Sequence, residues 1–428
     1  MTPELYLMAV VFIVFMIARV PVAFAIMGAV ISYFLVTPHA SMLFPQRLAS
    51  SLSSFPVLAI PLFVLAGSVM ARGGLAMRLI RLADSLVGHM KGGLGQVAVI
   101  NSLFIGGMSG SAKADSAIDA KILVPVMRRY GYGLGFSSAL TAAAGIIAPL
   151  IPPSIGLILY GLLANVSIGH LFIAGIVPGF LVAIALMIVV RIQATRRGFG
   201  IVRQHRLPFR EVLKRVRASW HALLIPVGII GGLRIGVFTP TELAAVIAVY
   251  SIIISVFVYK ELDWNGLRTV FIESALLTAA ILIIISAAGA LGYVLTLEQV
   301  PHKIALALIS AFKDPLIALL VINIVLLLLG TIMESTSLLV IVTPVLAPAV
   351  ISMGVDPVQF GIILVFNMTI GGITPPVGGN MFTVMAITGV SMSEFAREIL
   401  PFLAALIVVL LMLTYIPVLS VGLPSILL

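Results

Sequence analysis

The chain has 428 residues, 61% of them hydrophobic and 9% charged, with a mean hydropathy of +1.25. A soluble domain carries about 25% charged residues, and apolar runs long enough to cross a bilayer recur here from end to end, so the chain reads as a polytopic α-helical membrane protein. The net charge of +10 reads as basic loop residues rather than a nucleic-acid surface, and the lack of cysteine excludes a disulfide framework, a thiol nucleophile and a Cys-ligated metal.

In chain order, the first run is LYLMAVVFIVFMIARVPVAFAIMGAVISYFLV, ending at Val36. It is too long for a cleavable signal peptide and lacks a basic start. It reads as one long helix or two, broken at Arg19 and Pro21. Like the later runs it is continuous, where a β-barrel strand would alternate. Basic groups at Arg72 to Arg81, at His89 and Lys91, and at Arg128 and Arg129 do not by themselves fix the orientation of the N-terminus.

Next comes FIGGMSGSAKADSAIDAKILVP, residues 104 to 125, glycine-rich and polar inside an apolar chain. GIIAPLIPPSIGL, residues 145 to 157, follows, with Pro149, Pro152 and Pro153 crowded together. Each proline removes a backbone N–H and clashes with the carbonyl four residues back, so a helix breaks there. The largest basic stretch, residues 191 to 217, has nine Arg or Lys and one acid, Glu211. By the positive-inside rule it reads as a cytoplasmic loop, and it splits the chain nearly in half.

The second half repeats the order. LLGTIMESTSLLVIVTP, residues 328 to 344, passes from glycine through serines and an acid to a proline, and GGITPPVGGNMF, residues 371 to 382, is a second proline break. Setting Pro152 and Pro153 on Pro375 and Pro376 gives an offset of 223, which also sets Pro178 on Pro401. Two repeats with broken helices at matching positions are a common transporter plan. Irregular backbone at membrane depth is tolerated only where protein or water covers it. A break frees carbonyl oxygens and exposes half-helix ends. Carbonyl and hydroxyl oxygens suit small hard cations, and N-terminal half-helix ends suit carboxylates.

Ser109 and Ser111 therefore read as cation ligands, joined by backbone oxygens at Gly145, Ala148 and Pro149. Their counterparts are Gly330, Thr331, Ser335 and Thr336, facing Gly371, Thr374 and Val377. The Thr374 hydroxyl has two readings, a ligand or a cap for the half-helix that follows. Glu334 either binds or satisfies freed backbone donors. Lys113, Asp115, Asp119 and Lys121 read as the solvated end of a hairpin, with Asp115 and Asp119 one turn apart on one face. Asn380 is placed to reach the site, while Asn323 and Asn367 read as interhelical hydrogen-bonding groups.

Gly107-Met108-Ser109-Gly110 also matches the GxSG of rhomboid intramembrane proteases. That chemistry needs a general base on another helix. The candidates, His170 and His221, both sit near segment ends, and the second repeat would stay unexplained. No HExxH, Walker A or GxGxxG element occurs, and an enzyme is not expected.

At these residues the sequence resembles the large membrane subunit (DctM type) of TRAP transporters, the tripartite ATP-independent periplasmic transporters. The matching stretches are FPVLAIPLFVLAGSVM (55–70), GHMKGGL (88–94), SGSAKADSA (109–117), PVMRRYGY (125–132), GIIAPLIPPSIGLILYG (145–161), LFIAGIVPGFL (171–181), GVDPVQFGIILVFN (354–367) and GGITPPVGGNMF (371–382). Two departures are Lys113, where related sequences commonly carry a small apolar residue, and Glu334, where aspartate is frequent.

The resemblance implies an all-α elevator fold of the ion-transporter superfamily, with an inverted repeat, two re-entrant helical hairpins and broken helices. Scaffold helices would occupy 1–90, and a first transport repeat 91–190, with hairpin 93–125 and broken helix 132–165. A basic cytoplasmic loop would cover 191–220 and further scaffold helices 221–300. A second transport repeat would cover 301–428, with hairpin 315–345, broken helix 358–390 and a C-terminal helix.

The resemblance further implies a multi-pass protein of the bacterial inner membrane, with no cofactor and sodium as the coupling ion. It would import an organic acid: a C4-dicarboxylate, sialic acid, a sugar acid or a keto acid. Its partners would be a small four-helix membrane subunit (DctQ type) and a periplasmic substrate-binding protein (DctP type). One sodium site would carry over onto Ser109, Ser111, Gly145, Ala148 and Pro149, and the other onto Gly330, Ser335, Gly371, Thr374 and Val377. Substrate contacts would fall among Ser109, Gly110, Ser154, Glu334, Thr336 and Asn380. The alternative is a two-component sodium–dicarboxylate symporter or ion antiporter of the same superfamily. The N-terminal run and LRIGVFTPTELAA, residues 233 to 245, are candidate partner contacts.

Overall fold

The structure, a computed structural model, describes residues 2–37, 43–199, 205–312 and 314–428. His39 and Arg203 lie outside the described residues. In lipid every backbone polar group must be satisfied within its own segment, and among the described residues all regular structure is helical. Among the described residues eight helices are long and apolar enough to cross a membrane, and shorter apolar helices meet at the breaks.

The N-terminal run is two helices, α1 (Pro3–Ile17) and α2 (Val22–Val36). Arg19 takes a left-handed φ of 61° between them, and Pro21 precedes the first turn of α2. Then come α3 (Leu43–Ser50), α4 (Ala59–Arg72) and α5 (Leu75–Val87).

A helical hairpin follows, α6 (Gly93–Ser109) and α7 (Ala112–Arg129). It turns at Gly110, whose φ is 58° and where a Cβ would lie 2.2 Å from the Pro153 carbonyl oxygen, so only glycine fits. Next, α8 (Leu134–Ala144) ends in a 3₁₀ turn, the chain runs irregularly through its prolines, and α9 (Ile155–Ala164) resumes. The long α10 (Ile168–Arg197) closes this half.

Helices α11 (Phe209–Ile235), α12 (Pro240–Ile253), α13 (Trp264–Leu297) and α14 (Val300–Ala311) lead to the second half. There, α15 (Pro315–Ile332) and α16 (Ser335–Ser352) form a second hairpin. The broken helix α17 (Pro357–Gly371) and α18 (Gly379–Thr388) follows, then α19 (Met392–Tyr415) and α20 (Val418–Leu427).

The two halves match cap by cap. Left-handed Asn165 and Gly389 end α9 and α18, and the hydroxyls of Ser167 and Ser391 cap α10 and α19. The Pro152–Pro153 and Pro375–Pro376 bonds are both cis.

The halves also interlock reciprocally. Helix α18 packs on α7 while α9 packs on α16, and α19 packs on α8 while α10 packs on α17. Such reciprocity is what a two-fold relation between the repeats produces. One buried apolar core runs through both. A smaller one joins Leu5, Ile26, Val30 and Phe34 of α1 and α2 to Ala287, Leu291 and Val294 of α13.

The basic stretch is not one loop, which corrects the sequence reading. Residues 191–197 complete α10, 209–217 open α11, and only the connection between them is irregular among the described residues. Arg196 and Arg197 complement the C-terminal dipole of α10. Arg197 Nη1 pairs with Glu398 Oε2 on α19 at 2.7 Å, and Arg215 Nη1 with Asp84 Oδ2 on α5 at 2.9 Å. Charge density alone does not separate a loop from helix ends whose long side chains reach polar partners.

Candidate functional site

Each hairpin tip faces the break of its own half. In the first, Gly110 N–H donates to Gly106 O at 3.1 Å, and Ser111 caps α7, accepting from Ala114 N. Ser111 N–H donates to Ser109 Oγ at 3.3 Å. Gly106 of α6 crosses the broken helix at Ala148, where a Cβ on Gly106 would lie 2.8 Å from Ala148 Cα. Gly145 abuts the start of α7, against Ser116 Oγ and Ala112 O. The expected Ser109, Ser111, Gly145, Ala148 and Pro149 thus belong to one tip and one break.

The second tip repeats the arrangement. Gly330 of α15 crosses Gly371 of α17, and Ser335 Oγ donates to Met368 O at 3.0 Å. Thr374 Oγ1 donates to Ile370 O at 2.8 Å, and Gly378, not Thr374, occupies the cap position of α18. That removes the capping alternative for Thr374; its hydroxyl keeps lone pairs. Val377 is largely exposed on the connecting turn, and Thr331 Oγ1 donates to Leu328 O within its own helix.

The oxygens gathered at both crossings are neutral. Among the described residues no group of three or more His, Cys, Asp or Glu could hold a metal ion. Hydroxyl and carbonyl oxygens without a carboxylate cage fit a hard monovalent cation better than a divalent one.

Between the two tips lies a cavity of about 290 Å³. Gly110, Ser111 and Lys113 reach it from the first tip, and Glu334, Ser335 and Thr336 from the second. Pro149, Thr369 and Asn380 line it from the broken helices, and Leu277, Ala280, Ile281 and Ile284 wall it from α13. The tips touch there: Lys113 Nζ lies 3.1 Å from Glu334 Oε1. Glu334 also caps α16, with Oε2 accepting from Ser337 N at 3.0 Å and Oε1 from Thr336 Oγ1 at 3.2 Å.

Two expectations change. Lys113, Asp115 and Asp119 are not a solvated hairpin end. Lys113 faces the cavity, while Asp115 and Asp119 are fully buried. Asp119 accepts from Asn101 Nδ2 and Ser102 Oγ of α6. Their spacing points both carboxylates back into the hairpin rather than outward. Ser109 and Ser154, expected as substrate contacts, are not on the cavity wall either: the Ser154 hydroxyl donates to Pro149 O and accepts from Leu157 N at 3.2 Å, holding the break and capping α9.

Asn323 and Asn367 are interhelical links, with Asn367 Nδ2 donating to Asn323 Oδ1 at 2.9 Å and Asn323 Nδ2 to Thr414 Oγ1 at 2.9 Å. Sequence reasoning missed Thr369 and the α13 wall, because such residues in an apolar helix look like any lipid-facing stretch.

Two hairpins and two broken helices closed around a small cavity, largely apolar with a few polar groups at the tips, define a helical membrane transporter fold. Residues 9–419 match the family described as Tripartite ATP-independent periplasmic transporter, DctM component. The chain belongs to this family.

It is 39% identical to the C4-dicarboxylate TRAP transporter large permease protein DctM of Pseudomonas aeruginosa, covering 93% of each chain. It is 38% identical to the isethionate TRAP transporter permease protein DctMQ of Oleidesulfovibrio alaskensis over 95% of this chain, and spans 64% of that longer protein. The crystal structure of the YdaH transporter of Alcanivorax borkumensis, reported to have an unusual topology, superposes with a TM-score of 0.63 at 17% identity, covering 89% of each chain. At that identity the likeness is one of fold.

Proposed function

We propose that the chain is the large membrane subunit of a sodium-coupled secondary transporter that imports an organic acid across the bacterial inner membrane. A small DctQ-type subunit and a DctP-type periplasmic binding protein would work with it. The observation that carries this reading is the pairing of each hairpin tip with a broken helix, with one cavity shared by both tips.

Sodium binds where neutral oxygens converge, at Ser109, Ser111, Gly145, Ala148 and Pro149 in one half and at Gly330, Ser335, Gly371, Thr374 and Val377 in the other. The first turns of α7 and α16 begin at these same tips and line the cavity. An ion that orders a tip therefore orders the substrate wall. Coupling follows because each ligand favours the state the other favours. The two hairpins and broken helices then move as a loaded unit against α13 and the N-terminal helices, an elevator motion.

The test is thermal unfolding of the purified protein in sodium, potassium and choline at equal ionic strength. A ligand of the folded state alone stabilises it by RT ln(1 + [L]/Kd). Sodium should raise Tm, and Ser109→Ala and Thr374→Val should each reduce the rise. A sodium effect unchanged in both variants would sink the site assignment. Equal Tm in all three salts would sink sodium coupling.

A further inference from the structure

Lys113 is the only cationic side chain among the residues lining the cavity, and Glu334 is the only anionic one. The Lys113 chain lies over the N-terminus of α18, where a Cβ on Gly379 would meet its Cε at 3.5 Å and its Nζ at 3.7 Å. Glu334 is fixed by its capping bonds to Ser337 N and Thr336 Oγ1. The ammonium sits on a flexible stem and can turn toward a ligand.

The neutral groups lean toward accepting. Ser335 gives its hydroxyl proton to Met368 O, Thr336 to Glu334, and Thr369 to Val365 O. Each keeps lone pairs, not a proton, for a ligand. Asn380 is 3% exposed. Its Nδ2 donates to Ser116 Oγ at 3.1 Å and to Ala142 O at 3.4 Å, which fixes the amide orientation. Its Oδ1 accepts from no described residue. A buried acceptor left unpaired is costly, and a ligand donor removes the cost.

We propose that this cavity selects a monocarboxylate that carries hydrogen-bond donors, a hydroxy or amino acid, over a dicarboxylate. Lys113 takes the carboxylate, and Glu334 and the Asn380 amide oxygen take hydroxyl or ammonium protons. The inference rests on the transport reading above and narrows its substrate. A second carboxylate would arrive beside Glu334 with no second cation to meet it, and such like-charge contact is a strong discriminator. The volume of about 290 Å³ suits a small acid.

The experiment is thermal unfolding of the full chain at fixed high sodium with glycerate, gluconate, glucuronate or serine, set against propionate, succinate and fumarate. At least one of the first four should raise Tm, and the last three should not. Lys113→Ala should weaken the effective acid by about tenfold or more, the loss of one charge-assisted hydrogen bond. Lys113→Arg should retain most of the affinity, and Glu334→Gln should let succinate or fumarate gain.

Serine against the three hydroxy acids separates ammonium from hydroxyl donors. The proposal is overturned, and the transport reading kept, by any of three results with the sodium effect intact. These are a dicarboxylate that matches every donor-bearing acid, no response to any acid, or unchanged affinity in Lys113→Ala. Absence of a sodium effect in the wild-type chain would instead overturn the sodium coupling in the reading above.

Discussion

Gly330 and Gly371 meet backbone to backbone: a Cβ on Gly371 would lie 2.6 Å from Gly330 Cα. The first half solves the same crossing with one methyl, pairing Gly106 with Ala148. Backbone cannot rotate away as a flexible side chain can, so an added carbon must push the two elements apart. Gly106→Ala and Gly371→Ala should each cost about 1–3 kcal/mol as overpacking, read as a lower Tm. Ala148→Gly should cost about 1 kcal/mol or less. Equal losses in all three would mean that the crossings are not the tight points. At the same scale, Asp119→Leu strips the buried Asn101 amide of its acceptor. It should cost about 1–3 kcal/mol, part of which returns when Asn101→Leu is added in a double-mutant cycle.

At the scale of elements, the broken helices depend on their caps. Ser154 both caps α9 and ties the break through Pro149 O. Ser154→Ala should lower stability by about 1–2 kcal/mol and leave the sodium-dependent rise in Tm in place. A lost rise would instead put Ser154 in the ion site. The prolines and the glycine-rich turn around Gly110 made these elements legible in the sequence, because each acts on its own local backbone. The hairpin charges were not legible. Whether Asp115 and Asp119 meet water or protein depends on what packs on α7, and that is α6, α8 and the distant α18, with Asn101 and Ser102 of α6 receiving Asp119. The basic stretch misled for a related reason: Arg197 and Arg215 find acids on α19 and α5, which no local pattern announces.

Over the whole molecule, each half supplies the surface the other half needs. Cleaving the connection between α10 and α11 should leave the two pieces associated in mild detergent and separable only on denaturation, as compared on native and denaturing gels. Pieces that drift apart without denaturant would contradict the reciprocal packing of α18 on α7 and α9 on α16. The same packing bears on how the protein is made. Helix α9 leaves the ribosome well before α16, and at ordinary synthesis rates the gap is roughly ten to thirty seconds. During that interval α9 stands in the bilayer without the α16 face on which it packs. The nascent first half must be sheltered, by lipid headgroups, water or the insertion machinery, until its counterpart arrives.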